Sequence, residues 1–192
     1  MSDTPTDAPP TEHQPPPELR RADSLVLVNT GDGKGKSTAA FGTMIRSVAR
    51  GWPVAVVQFL KSGTWNTGEE KVARDLGVEW FAIGEGFTWD SEDLSRDEAV
   101  AREAWRQAAA LLASGEHRLV VLDEVTYPMI WGWLDTDEVV AAIRDRSPKV
   151  NVVCTGRDAP ATLLDIADTA TEMRVLKHAY DSGIRAMKGI DY

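Results

Sequence analysis

The chain has 192 residues, enough for one domain with a sizeable core, and its 43% hydrophobic and 27% charged residues are ordinary for soluble globular chains. A net charge of −9, with 21 Lys and Arg against 30 Asp and Glu, excludes a general nucleic-acid binder, which needs a basic face for phosphate backbones. No apolar run approaches the roughly 20 residues that span a bilayer, and the first residues are acidic and proline-rich, so no membrane partner and a cytoplasmic location are expected.

Residues 1–22 hold Pro5, Pro9, Pro10, Pro15, Pro16 and Pro17 and almost no large apolar side chain, which predicts a disordered proline-rich tail ahead of one domain over 23–192. From Leu25 onward short apolar runs alternate with helical stretches. The runs 25–28, 54–60, 119–122 and 150–154 are nearly continuous, as in strands covered on both faces, and predict a parallel sheet. A helix is expected over 36–50, ended by Gly51, with apolar residues at 40, 41, 44, 45 and 48. Thr67 with Glu70, and Ser95 with Glu98, fit the capping box and mark two more helix starts. After Ser95 the stripe Val100, Ala101, Ala104, Trp105, Ala108, Leu111 and Leu112 reads as core, with Trp105 as packing.

Cys154, the only cysteine, excludes an intramolecular disulfide and a cysteine zinc cluster, and its apolar run makes it a small buried core residue. Strands separated by helices give an α/β fold class, a three-layer domain with a mainly parallel central sheet and ligands at the strands' carboxyl ends.

Thr30-Gly31-Asp32-Gly33-Lys34-Gly35-Lys36-Ser37-Thr38 follows the first strand and opens a helix, the context a phosphate loop requires, which makes the three-layer α/β domain a P-loop NTPase (RecA-like) one. Glycines let backbone N–H groups face phosphate oxygens, lysine offsets their charge, and a hydroxyl can hold Mg²⁺. The usual spacing wants glycine at position 30; here the residue is Thr30 and glycine comes one place later, at Gly31. The strand at 119–122 ends in Asp123 and Glu124, the acidic pair that supports Mg²⁺ opposite such a loop, with either carboxylate as the metal contact. Arg157 follows the strand at 150–154 and faces the same cleft. These motifs alone also suit a small-molecule kinase, or a nucleotide-gated carrier without chemistry.

The chain resembles the P-loop corrinoid adenosyltransferases from about Leu25 to Tyr192. The likeness rests on the shortened loop, on Val57-Gln58-Phe59-Leu60-Lys61, Gly86-Phe87-Thr88-Trp89, Leu122-Asp123-Glu124-Val125-Thr126-Tyr127 and Thr155-Gly156-Arg157, and on Lys177-His178-Ala179-Tyr180 with the ending Gly189-Ile190-Asp191-Tyr192. Ser37 stands where the family mostly has threonine, which keeps the hydroxyl, and Asp32 where asparagine is also common.

The resemblance implies transfer of the 5′-deoxyadenosyl group from ATP to Co(I) of cob(I)alamin or cob(I)yrinic acid a,c-diamide, with triphosphate leaving, in adenosylcobalamin biosynthesis or salvage. It implies Mg²⁺ or Mn²⁺ with ATP, an electron donor such as a flavoprotein, and a homodimer. Lys36 and Glu124 would be catalytic. Residues 30–38, Arg46 and Arg157 would bind ATP, and Ser37, Asp123 and Glu124 the metal. Phe87 and Trp89 would meet the corrinoid's lower face, while His178 is expected to pack rather than transfer protons.

Overall fold

The computed structural model describes residues 18–60, 67–83 and 94–191. The four apolar runs form β1 (Val26–Thr30), β2 (Val54–Gln58), β4 (Leu119–Asp123) and β5 (Asn151–Thr155). Each of these strands ends on a polar residue, Thr30, Gln58, Asp123 or Thr155, so the sheet's carboxyl edge is polar where its middle is apolar. Two further strands, β3 (Glu79–Ala82) and β6 (Thr169–Glu172), lie at the two sheet edges in the order β3-β2-β4-β5-β1-β6. Every pairing is parallel, in the registers Gln58↔Asp123, Leu122↔Cys154 and Asn29↔Thr155.

The alternation of side chains along each strand sends residues to two separate cores. Ala55, Val57, Val120, Leu122, Val152 and Cys154 face α3 (Leu94–Ser114), α5 (Thr136–Arg144) and the short α6 (Ala161–Asp165). Val54, Val56, Leu119, Val121 and Val153 face α1 (Lys36–Val48) and α2 (Gly68–Asp75). The sheet is therefore the middle of three layers. A short α4 (Thr126–Ile130) leaves the end of β4. Among the described residues no helix is long and apolar enough to cross a membrane.

Thr67 caps α2 as expected, its Oγ1 accepting from Glu70 N at 3.3 Å. Ser95 instead lies inside the first turn of α3, which already includes Leu94. α1 stops at Val48, two residues short of the expected end, because the Ser47 carbonyl accepts from both Arg50 N and Trp52 N and turns the chain out. The buried face of α1 is Ala40, Phe41, Met44 and Ser47; Ile45 lies on its half-exposed rim. Trp105 packs in the α3 core and its Nε1 donates to Glu138 Oε1 at 3.0 Å, tying α3 to α5. Cys154 is fully buried, and burial pushes its thiol up to about 12.

Candidate nucleotide site

Parallel strands β4, β5 and β1 sit side by side, so the segments leaving their carboxyl ends meet at one edge. Gly31 (φ 91°) and Gly35 (φ 112°) hold left-handed backbone that other residues rarely adopt. Gly35 is also the N-cap of α1 and has no side chain to cap it, so the helix's first amides face the loop at the positive end of its dipole. Lys36 folds back over the loop, its Nζ donating to the carbonyls of Gly31 (2.6 Å) and Gly33 (2.8 Å). Phosphate oxygens placed there would compete with those carbonyls for the ammonium.

The Lys36 ammonium is pulled below the ordinary lysine range, first by burial and then by the positive charge of Arg157; Asp32, Glu124 and Asp123 oppose that shift. Loop, carboxylate pair and arginine therefore share one electrostatic neighbourhood. Arg157 Nε lies 3.6 Å from Asp32 Oδ1, and Ala159 N donates to Thr30 Oγ1 at 3.1 Å, closing the segment after β5 onto the loop. Thr30, Gly31, Gly35, Lys36 and Ser37 are half-buried here, Gly33 is buried, and Asp32, Lys34 and Thr38 are exposed.

Asp123 is fully buried at the end of β4 and accepts from Gln58 Nε2 (2.9 Å) and Thr155 Oγ1 (2.7 Å). Glu124 follows with φ 65°, an unusual conformation for a residue with a side chain. Among the described residues no three His, Cys, Asp or Glu side chains gather closely enough to hold a metal by themselves. The candidate donors Ser37, Asp123 and Glu124 are all oxygen, a hard set suited to Mg²⁺ or Mn²⁺ completed by nucleotide oxygens and water.

The segment after β6 crosses the loop. Gly33 N donates to Met173 O (2.7 Å) and Met173 N to Thr30 O (2.8 Å). A Cβ on Gly31 would sit 2.5 Å from Met173 O. Beyond it, Lys34 forms an ion pair with Asp191, whose carboxyl is held below its usual range first by that hydrogen bond and then by the Met187 amide. Two cavities flank the crossing: one of about 350 Å³ beside Thr30, Gly31, Asp158 and Glu172, and one of about 370 Å³ beside Gly33, Lys34, His178 and Asp191. Both fall in the range of small-molecule sites. His178 caps a 3₁₀ turn (Ala179–Ser182), its Nδ1 accepting from Tyr180 N at 3.1 Å.

Arg46 does not join this group. It is exposed in the last turn of α1, ten residues from Lys36, about 15 Å along the axis at ~1.5 Å per residue. Phe87 and Trp89 lie outside the described residues.

The family model described as ATP:corrinoid adenosyltransferase BtuR/CobO/CobP matches residues 22–192. The chain belongs to this family. The corrinoid adenosyltransferase of Escherichia coli (strain K12) is 45% identical over 168 residues, covering 88% of this chain and 85% of that protein. Corrinoid adenosyltransferase CobA of Salmonella typhimurium is 43% identical over the same shares, and the Pseudomonas aeruginosa corrinoid adenosyltransferase 44%, over 91% of this chain and 87% of that one.

In this adenosyltransferase family member, residues whose roles the sequence leaves unassigned support the site. Gln58 and Thr155 hold Asp123, and Met173 and Asp191 hold the loop. Tyr127 stands at the site as well: burial pushes its phenol above the ordinary range, and the charges of Arg157 and Glu124 reach it. Its ring begins an aromatic run, 5.4 Å from Trp131, which is 4.8 Å from Trp133. The polar last residue of each central strand was the available signal for Gln58 and Thr155.

Proposed function

We propose that this protein transfers the 5′-deoxyadenosyl group of ATP to the cobalt of a reduced corrinoid, in making or salvaging adenosylcobalamin. The electron pair of Co(I) attacks C5′ of ATP, the C5′–O bond breaks, and triphosphate leaves with that bond's electrons. The observation that carries this reading is the convergence of Lys36, Arg157 and the bare N-terminus of α1 on one glycine loop. Such a cradle stabilises charge growing on the bridging oxygen as triphosphate departs. Co(I) is itself the nucleophile, so the side chains bind and orient rather than attack.

Residues 30–38 and Arg157 would hold the triphosphate, with Lys36 following the leaving charge. Ser37 with Asp123 or Glu124 would hold Mg²⁺ or Mn²⁺, which supplies positive charge to the phosphates when bound. Phe87 and Trp89 would present apolar surface to the corrinoid's lower face, and an electron donor such as a flavoprotein would keep cobalt reduced. The substrate would be cob(I)alamin or cob(I)yrinic acid a,c-diamide. A homodimer is proposed too: Leu176 (98% exposed), Tyr180, Ile184, Met187 and Ile190 are exposed apolar side chains on the C-terminal segment that a second copy would cover.

The test is to incubate the protein with Mg·ATP and chemically reduced corrinoid and analyse both products. Triphosphate with a light-sensitive Co–C product is expected. ADP without that product would leave a kinase, and ATP recovered intact with altered corrinoid affinity would leave a carrier.

A further inference from the structure

The ends of β4 and β5 are joined by two threonine side chains that reach in opposite directions. Thr155, fully buried on β5, donates through Oγ1 to Asp123 Oδ1 (2.7 Å) and accepts at the same oxygen from Glu124 N (2.9 Å). One hydroxyl thus uses its donor and an acceptor site on consecutive residues of the acidic pair. The second Asp123 oxygen is held from β2 by Gln58 Nε2 (2.9 Å), and Gln58 Oε1 in turn accepts from Trp80 Nε1 (3.2 Å). The bond to its amide also fixes Glu124 in its left-handed conformation, φ 65°.

Thr126, fully buried at the start of α4, reaches the other way: its Oγ1 donates to the Arg157 carbonyl at 2.6 Å. A Cβ on the intervening Gly156 (φ 142°) would collide with that hydroxyl, so the approach requires glycine there. Thr155 thus holds the Asp123 carboxylate and the Glu124 amide, and Thr126 the Arg157 carbonyl, and the charges of these three residues are among those that act on Lys36.

We propose that Thr155 and Thr126 are positioning residues with separable tasks: Thr155 sets the carboxylates toward the metal side of the nucleotide, and Thr126 sets Arg157 toward its phosphates. The division of tasks rests on the reading of this site as a metal–nucleotide site. A shared structural role would make the two valine variants alike, whereas separate positioning makes them differ.

The experiment is calorimetric titration of the full chain with ATP in Mg²⁺ and in EDTA, for wild type, T155V, T155S, T126V and T126S, with steady-state adenosylation alongside. T155V should shrink the ratio of the EDTA Kd to the Mg²⁺ Kd by about tenfold, the scale of a lost hydrogen bond to a charged group. T155S should restore that ratio. T126V should weaken ATP binding about tenfold in both buffers, leaving the ratio unchanged, and T126S should restore it. In turnover, T155V should lower kcat with an unaltered KM for corrinoid.

A folded T155V with the wild-type ratio, or serine variants as impaired as the valines, would overturn the proposal. Should T155V fail to fold, T126V decides: a changed ratio there overturns the division of tasks, and an unchanged ratio with weaker binding supports it. A wild-type protein that forms no adenosylated corrinoid refutes the proposed reaction instead, and the binding arms still read the threonines.

Discussion

Gly33 and Gly42 allow one substitution to be tested in two opposite environments. In Gly33→Ala the new Cβ would lie 2.8 Å from both the carbonyl carbon and oxygen of Met173 and 2.9 Å from the Arg174 carbonyl carbon. All are backbone atoms, so no side chain can swing aside, and the crossing segment must move. Overpacking of this kind costs about 1–3 kcal/mol. Moving the segment also breaks Gly33 N–H to Met173 O (2.7 Å), a further ~1 kcal/mol.

The sum, roughly 2–4 kcal/mol, lowers Tm by roughly 4–16 °C at about 2–4 °C per kcal/mol for a chain of this size. At Gly42, inside α1, a Cβ meets no atom within 4 Å. Alanine there gains ~0.5–1 kcal/mol of helix preference and raises Tm by roughly 1–4 °C. Circular-dichroism melts of both variants, with and without ATP, check this, and Gly33→Ala should also lose most of the stabilisation by ATP. A Gly33→Ala melt within about 2 °C of wild type would refute the account of the crossing segment.

Lys36→Ala should weaken ATP binding by tenfold or more, the order of a lost charge-assisted contact, as read by calorimetry. Burial holds the free protein's Lys36 below the ordinary range, and a bound triphosphate would raise it again. ATP binding should therefore take up protons in the alkaline window between those two positions, and Lys36→Ala should lose that uptake. Asp191→Asn frees Lys34 from its ion pair, so ATP affinity should rise by no more than about fivefold at low salt, with the gain vanishing near 1 M salt. Cys154, buried with its thiol raised to about 12, should resist a thiol reagent at pH 8 in the native protein and react fully in denaturant; rapid native labelling would contradict its burial. Phe87→Ala and Trp89→Ala should spare ATP binding and slow the corrinoid step, and equal loss of both would count against their proposed role.

The inner strands were readable because each is covered on both faces, which makes Val54 to Val57 or Leu119 to Leu122 continuously apolar. The edge strand β6 leaves no such trace. All four residues of β6, Thr-Ala-Thr-Glu, are exposed and join β1 through backbone pairing such as Leu27↔Thr169, which carries no side-chain signature. The phosphate loop was legible because its glycines, lysine and hydroxyl answer local demands. The roles of Gln58, Thr155 and Asp191 were not, although all three lie in segments that carry the family likeness: Gln58 finds Asp123 across 65 positions, Thr155 finds it across 32, and Asp191 finds Lys34 across 157. Arg46 shows the converse limit, since a helix that starts at the site carries its last turn away from it.

Both sheet neighbours of β1, β5 and β6, come from the last quarter of the chain, the first of them reached across 126 positions. During synthesis from the N-terminus, Val26–Thr30 therefore emerges long before anything in the sheet can pair with it. The loop it carries acquires its brace only when Met173 arrives. Closing these distant pairings is slow in topological terms, and nucleotide grip becomes a property of the finished chain. A polypeptide broken off before residue 150 keeps the whole glycine-rich motif yet lacks every strand that would hold it in place.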